Sequence, residues 1–209
     1  MRPHAEQPVV TTGAPLGQGA GVVIAVHGRG AGPEDVLGLA PQLGRGDITY
    51  LAPAAAGRTW YPYSFMAEIA RNEPGLSSAL QILRGLVDAA VAAGVPTERI
   101  VLAGFSQGAC LASEFIARHP GRYGGALIFS GGLIGPPGTT WDHRGTLDGT
   151  PIFLGCSDVD AHVPKHRVDE SADVFRRMGG RVDERIYPGM GHTINEDELA
   201  AARTMLDAL

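Results

Sequence analysis

Five consecutive apolar residues, Val22-Val23-Ile24-Ala25-Val26, stop abruptly at His27-Gly28. A run this short, with no polar alternation, reads as a strand buried on both faces, the kind found in parallel sheets covered by helices. The chain repeats the pattern. Ile48–Ala52 is a second run, stopped by Pro53, and Ile100–Ala103, Ala126–Phe129, Ile152–Leu154 and Val182–Tyr187 follow. Segments of helical period lie between them. One opens at Pro33-Glu34-Asp35. A long one after Pro74 places Leu76, Leu80, Leu83, Val87 and Val91 at helical spacing and ends at Gly94 and Pro96. Ser106–His119 is closed by Pro120-Gly121, and Lys165–Met178 by Gly179-Gly180. The last begins at Asn195, with Glu198 three residues on in a capping-box pattern. This alternation predicts an α/β chain with a mostly parallel central sheet and helices on both faces. Such sheets bind ligands at the C-terminal ends of their strands.

Composition narrows the function. With 209 residues, 44% apolar and 19% charged, the chain can bury a core without disulfide or metal staples, and 1–209 reads as one domain. The net charge is −5 and no basic block stands out, so nucleic acid is not an expected partner. Cys110 and Cys156 form no CxxC pair and are expected as small buried hydrophobes. The longest apolar runs are far too short to span a bilayer. Met1-Arg2-Pro3-His4-Ala5-Glu6 has no apolar core of a secretory signal, so a cytoplasmic location is the default expectation. The histidines are scattered without metal-ligand spacing, and neither metal nor cofactor is expected.

The chemistry concentrates at the strand ends. Gly104-Phe105-Ser106-Gln107-Gly108 is a G-x-S-x-G pattern between an apolar strand and a helix. A strand turning sharply into a helix strains the residue at the turn and leaves no room for flanking side chains, hence the glycines. Ser106 would stand at a helix N-terminus, where backbone N–H groups favour a developing oxyanion. A serine hydroxyl needs a base, and His192, in the loop after the last strand, is placed to serve. The acid should follow Ile152–Gly155, where Asp158 and Asp160 both stand; spacing does not separate them, and the one not used should hydrogen-bond within its own loop. His27-Gly28-Arg29-Gly30 follows the first strand. Its Arg29 N–H and the Gln107 N–H are the expected oxyanion donors, with the Arg29 side chain solvated rather than engaged with an anionic substrate.

Together these segments resemble the phospholipase/carboxylesterase family of α/β-hydrolases. The resemblance rests on His27-Gly28-Arg29-Gly30, Gly104–Gly108, Ser130-Gly131-Gly132, Asp160-Ala161-His162-Val163-Pro164 and Gly191-His192, and runs from about residue 22 to 195. It implies an α/β-hydrolase fold, and Asp160 as the acid, because the family carries D-x-x-V-P there. Cys156-Ser157 and Ala109 depart from common family residues, which weakens any shared substrate with protein thioesterases.

The expected reaction is ester hydrolysis through an acyl-enzyme on Ser106, with His192 as base and Asp160 orienting it. The substrate would be a small-molecule or lipid ester. No insertion is long enough for a cap domain. Trp60, Tyr61, Phe65 and Met66 of the aromatic 57–66 segment, with Leu133, Ile134 and Val163, are the expected substrate-binding walls. An exposed apolar rim could serve dimerisation as well as substrate access. The alternatives are a thioesterase acting on acyl-protein or acyl-CoA and a non-catalytic hydrolase-fold binding protein, the second opposed by the presence of Ser, Asp and His in order.

Overall fold

A computed structural model describes residues 2–209. Its strands are β1 (Val9–Gly13), β2 (Val22–Val26), β3 (Thr49–Pro53), β4 (Ile100–Phe105), β5 (Gly125–Phe129), β6 (Pro151–Ser157) and β7 (Arg181–Tyr187). Its α-helices are α1 (Pro33–Leu37), α2 (Ala40–Leu43), α3 (Gly75–Ala92), α4 (Gln107–Arg118), α5 (Lys165–Arg177) and α6 (Glu196–Asp207). The strands form one sheet in the order β1-β3-β2-β4-β5-β6-β7. Only β1 runs antiparallel, pairing Val9–Gly13 with Thr49–Pro53.

Every residue of β2, β3 and β5 is buried, as continuous apolar runs covered on both faces require. One apolar cluster joins Val22, Ile24, Leu102 and Ile128 to α3, α4 and α5. The other joins Val23, Ala25, Val101, Leu127 and Phe129 to α1 and α6. β1 is an element the apolar runs did not announce. Its residues are mostly exposed, so it carries no buried-strand signal. α6 opens with the expected reciprocal cap: Asn195 Oδ1 accepts from the Glu198 N–H, and Glu198 Oε2 accepts from the Asn195 N–H.

This topology sets the position of the site. From β2 the chain moves to β3 on one side, then crosses to β4 on the other. The crevice between the C-terminal ends of β2 and β4 is therefore the switch point where open α/β sheets bind ligands. His27 and Ser106 follow those two ends directly.

Candidate active site

Ser106 sits between β4 and α4 at φ 56° and ψ −119°, a strained conformation for a residue with a Cβ. The two glycines are required by close approach, neither having a positive φ. A Cβ on Gly104 would lie 2.5 Å from the Gly108 carbonyl carbon and oxygen, and one on Gly108 would run into the Val26 and His27 carbonyl oxygens. The Ser106 N–H donates to the Phe129 carbonyl at 2.9 Å, tying the turn to β5.

Asp160 and His192 come from the loops after β6 and β7. His192 Nδ1 is 2.6 Å from Asp160 Oδ2. The other carboxylate oxygen accepts the His162 and Val163 N–H groups at 2.8 and 3.0 Å. Burial by itself would raise the Asp160 carboxyl, but these three hydrogen bonds outweigh it and hold the group below its ordinary range. The Asp160 side chain is wholly buried. Phe105 packs against the His192 ring at 4.8 Å between centroids, and His162 does so from another side at 4.8 Å.

Asp158 departs from the expectation that it bonds within its own loop. Its Oδ1 accepts the Gly189 N–H at 2.8 Å, and its own N–H donates to the Tyr187 carbonyl. Both aspartates of the β6 loop thus reach the loop that carries His192.

A cavity of about 490 Å³ joins these parts. Ser106, His192, Gln107 and Arg29 line it, with Tyr61, Phe65 and Val163 among the expected wall residues. The backbone N–H groups of Arg29 and Gln107 donate to no protein acceptor among the described residues. Trp60, Met66, Leu133 and Ile134, expected as walls, do not reach the cavity. Trp60 is fully buried, with its indole N–H on the His27 carbonyl at 2.9 Å. Leu133 and Ile134 are held under α5 and α4, their N–H groups on Ser171 Oγ and Glu114 Oε2. Met66 packs against the core. Residues the sequence reading did not assign complete the lining, among them Phe105, Pro62, Tyr63 and Cys110. Cys110 lies one helical turn beyond Ser106, a spacing that could have placed it on the site face. Burial pushes its thiol up to about 12, so it is a protonated wall residue.

The Arg29 side chain is exposed, as expected of a surface arginine, but it is also tethered. Its terminal nitrogens donate to Thr59 Oγ1 at 2.9 Å and to the carbonyls of Tyr61, Pro62 and Tyr63 at 2.9, 3.0 and 2.7 Å. The Gln107 side chain binds the same segment, accepting from the Trp60 N–H and donating to the Tyr61 carbonyl. Asn72 bridges the Tyr63 N–H and the Ser64 carbonyl. Buried His27 completes the support. Its Nε2 accepts the Ala55 N–H, so its proton lies on Nδ1, toward the Gly28 carbonyl.

The strand order, the strained serine turn after β4 and the absence of an inserted cap among the described residues define an α/β-hydrolase fold. The sequence matches the phospholipase/carboxylesterase family over residues 11–209. A phospholipase/carboxylesterase crystal structure from Dyadobacter fermentans superposes with a TM-score of 0.92 at 38% identity, covering 96% of each chain. An acyl-protein thioesterase 1 from Eremothecium gossypii is 32% identical, the match covering 75% of this chain and 68% of that one. A probable carboxylesterase from Oryza sativa subsp. japonica is 30% identical, the match covering 62% of this chain and 48% of that protein. The chain belongs to the phospholipase/carboxylesterase family and is an ester hydrolase by that membership.

Proposed function

We propose that the chain is a serine carboxylesterase acting on small esters, with Ser106, His192 and Asp160 as its triad. The observation that carries this reading is the 2.6 Å contact between His192 and buried Asp160, on a cavity that Ser106 shares. In the proposed reaction Ser106 Oγ attacks the ester carbonyl while His192 Nε2 takes its proton. Asp160 accepts the His192 Nδ1–H, fixing the tautomer and stabilising the imidazolium. The Arg29 and Gln107 N–H groups receive the oxyanion. His192 then protonates the leaving alcohol, and water, deprotonated by His192, cleaves the acyl-enzyme. The single sheet, with apolar clusters on both faces, supports reading 1–209 as one domain. No helix among the described residues is long and apolar enough to cross a membrane.

The test is hydrolysis of matched oxygen esters and thioesters, from acetyl to palmitoyl, by the wild type and Ser106→Ala. The variant is expected to lose on the order of 10³-fold or more in rate. Retention of most of the rate by pure Ser106→Ala would overturn the assignment. A maximum at short or aryl oxygen esters supports the carboxylesterase reading. A maximum at long-chain thioesters would favour the second reading, a thioesterase, which the similarity to the Eremothecium protein supports.

A further inference from the structure

We infer that the cavity is built for esters that carry a negative charge on the acyl or the alcohol part. This rests on the serine-hydrolase reading above and adds the class of substrate. The basic side chains lining the cavity are Arg29, His162 and His192, with no aspartate or glutamate among the lining residues. The nearby carboxylate, Asp160, is wholly buried and spent on His192 and two backbone N–H groups.

Arg29 carries the argument. Three carbonyls and a hydroxyl take its four terminal N–H groups. All are neutral, so the guanidinium is fixed in place but keeps its full charge. Among the described residues no carboxylate lies within ion-pair distance of it, as is also true of several other arginines, such as Arg58 and Arg99. Its Nε–H makes no hydrogen bond within the described chain.

The sign is opposite to that of the whole chain, which carries −5. A fixed cation in a cleft on an acidic protein focuses an attractive potential there and raises the local concentration of anions. The remaining wall, Tyr61, Phe65 and Val163, suits the hydrocarbon part of such a molecule. Clamping the 59–63 segment requires the N–H groups of Arg29, and attraction requires its charge; the two roles separate by experiment.

The measurement is kcat/KM for two matched pairs, each normalised to its hydroxide-catalysed rate. Methyl butanoate against monomethyl succinate places the charge on the acyl side. Phenyl acetate against 4-acetoxybenzoate places it on the alcohol side. At about 20 mM salt the anionic member of at least one pair should be preferred by about three- to tenfold, falling toward parity at about 500 mM. The favoured pair identifies the side that faces Arg29. Arg29→Gln should bring that ratio to about one. Gln107→Ala, which loosens the same segment without removing charge, should slow both members and leave the ratio unchanged. Parity or a preference for the neutral member in both pairs at low salt would overturn the inference, as would a ratio unmoved by Arg29→Gln. Failure to hydrolyse even the neutral members in a Ser106-dependent way would instead overturn the underlying reading.

Discussion

The two walls of the cavity are held by opposite means. On the aromatic side, the carbonyls of Trp60, Tyr61, Pro62, Tyr63 and Ser64 all bond to side chains from elsewhere in the chain: His4, Gln107, Arg29 and Asn72. Trp60, Tyr61 and Phe65 are buried as well. On the histidine side, the 187–195 loop is half-exposed and hangs on the two aspartates of the β6 loop and the cap of α6. One wall is a fixed surface against which a substrate can be positioned. The other carries the group proposed to move a proton, and its geometry depends on a few polar contacts, each with a large expected effect.

The largest effect should come from the histidine wall. Asp160→Asn keeps the shape but reverses the hydrogen-bond preference at Nδ1, and kcat is expected to fall by about 10⁴-fold. Steady-state kinetics on a neutral ester measures it; a loss under tenfold would show that Asp160 does not orient His192. The aromatic wall should break differently. Trp60→Ala opens a void in the core and frees the His27 carbonyl, at a cost of about 3–5 kcal/mol. Denaturant titration should show that loss, while the rate per folded molecule falls far less than in Asp160→Asn. The reverse pattern would make Trp60 part of the site.

The anchor of the histidine wall has a pH signature. Glu198 caps α6, but its Oε1 is buried without a partner, and burial pushes its carboxyl from 4.5 to about 7. The folded state therefore holds this proton more tightly than the unfolded chain does. The contribution to stability is greatest below about 4.5 and is lost as pH rises through about 7. The span corresponds to at most about 3 kcal/mol. Glu198→Gln should flatten the stability profile across that window, read by thermal melts at several pH values; an unchanged profile would contradict the assignment. Asp160 works in the opposite sense: its lowered carboxyl stabilises the fold above the ordinary carboxylate range, and that stability is lost on acidification through the lowered value. The smallest effect belongs to Asp158→Ala, which frees the Gly189 N–H and is expected to lower kcat about three- to tenfold with KM nearly unchanged. A change confined to KM would place Asp158 in substrate binding instead.

Much of this was legible in the residues because the physics is local. Val22–Val26 and Ala126–Phe129 announce buried strands by continuous apolarity, and Asn195 with Glu198 announces a helix start by capping. Gly104 and Gly108 announce a crowded turn around Ser106. β1 was missed because an exposed edge strand has no apolar run to show. The aromatic segment was noticed, yet its faces could not be assigned. Trp60 and Tyr61 are neighbours, but only Tyr61 reaches the cavity, since the side of a loop that faces a site is set by what packs behind it.

By itself, then, the sequence determined the order of the buried strands and the main helices, the strand-to-helix turn at Ser106 and the family to which the chain belongs, because each depends on residues adjacent or one turn apart. Only the tertiary structure decided that the Arg29 side chain clamps carbonyls some 30 residues on. It also decided that Asp158 holds the loop of His192 and that the cavity has the Arg29 guanidinium but no aspartate or glutamate in its lining. Those outcomes depend on which distant loops the sheet brings to one edge, and on which of their buried polar groups must find partners there.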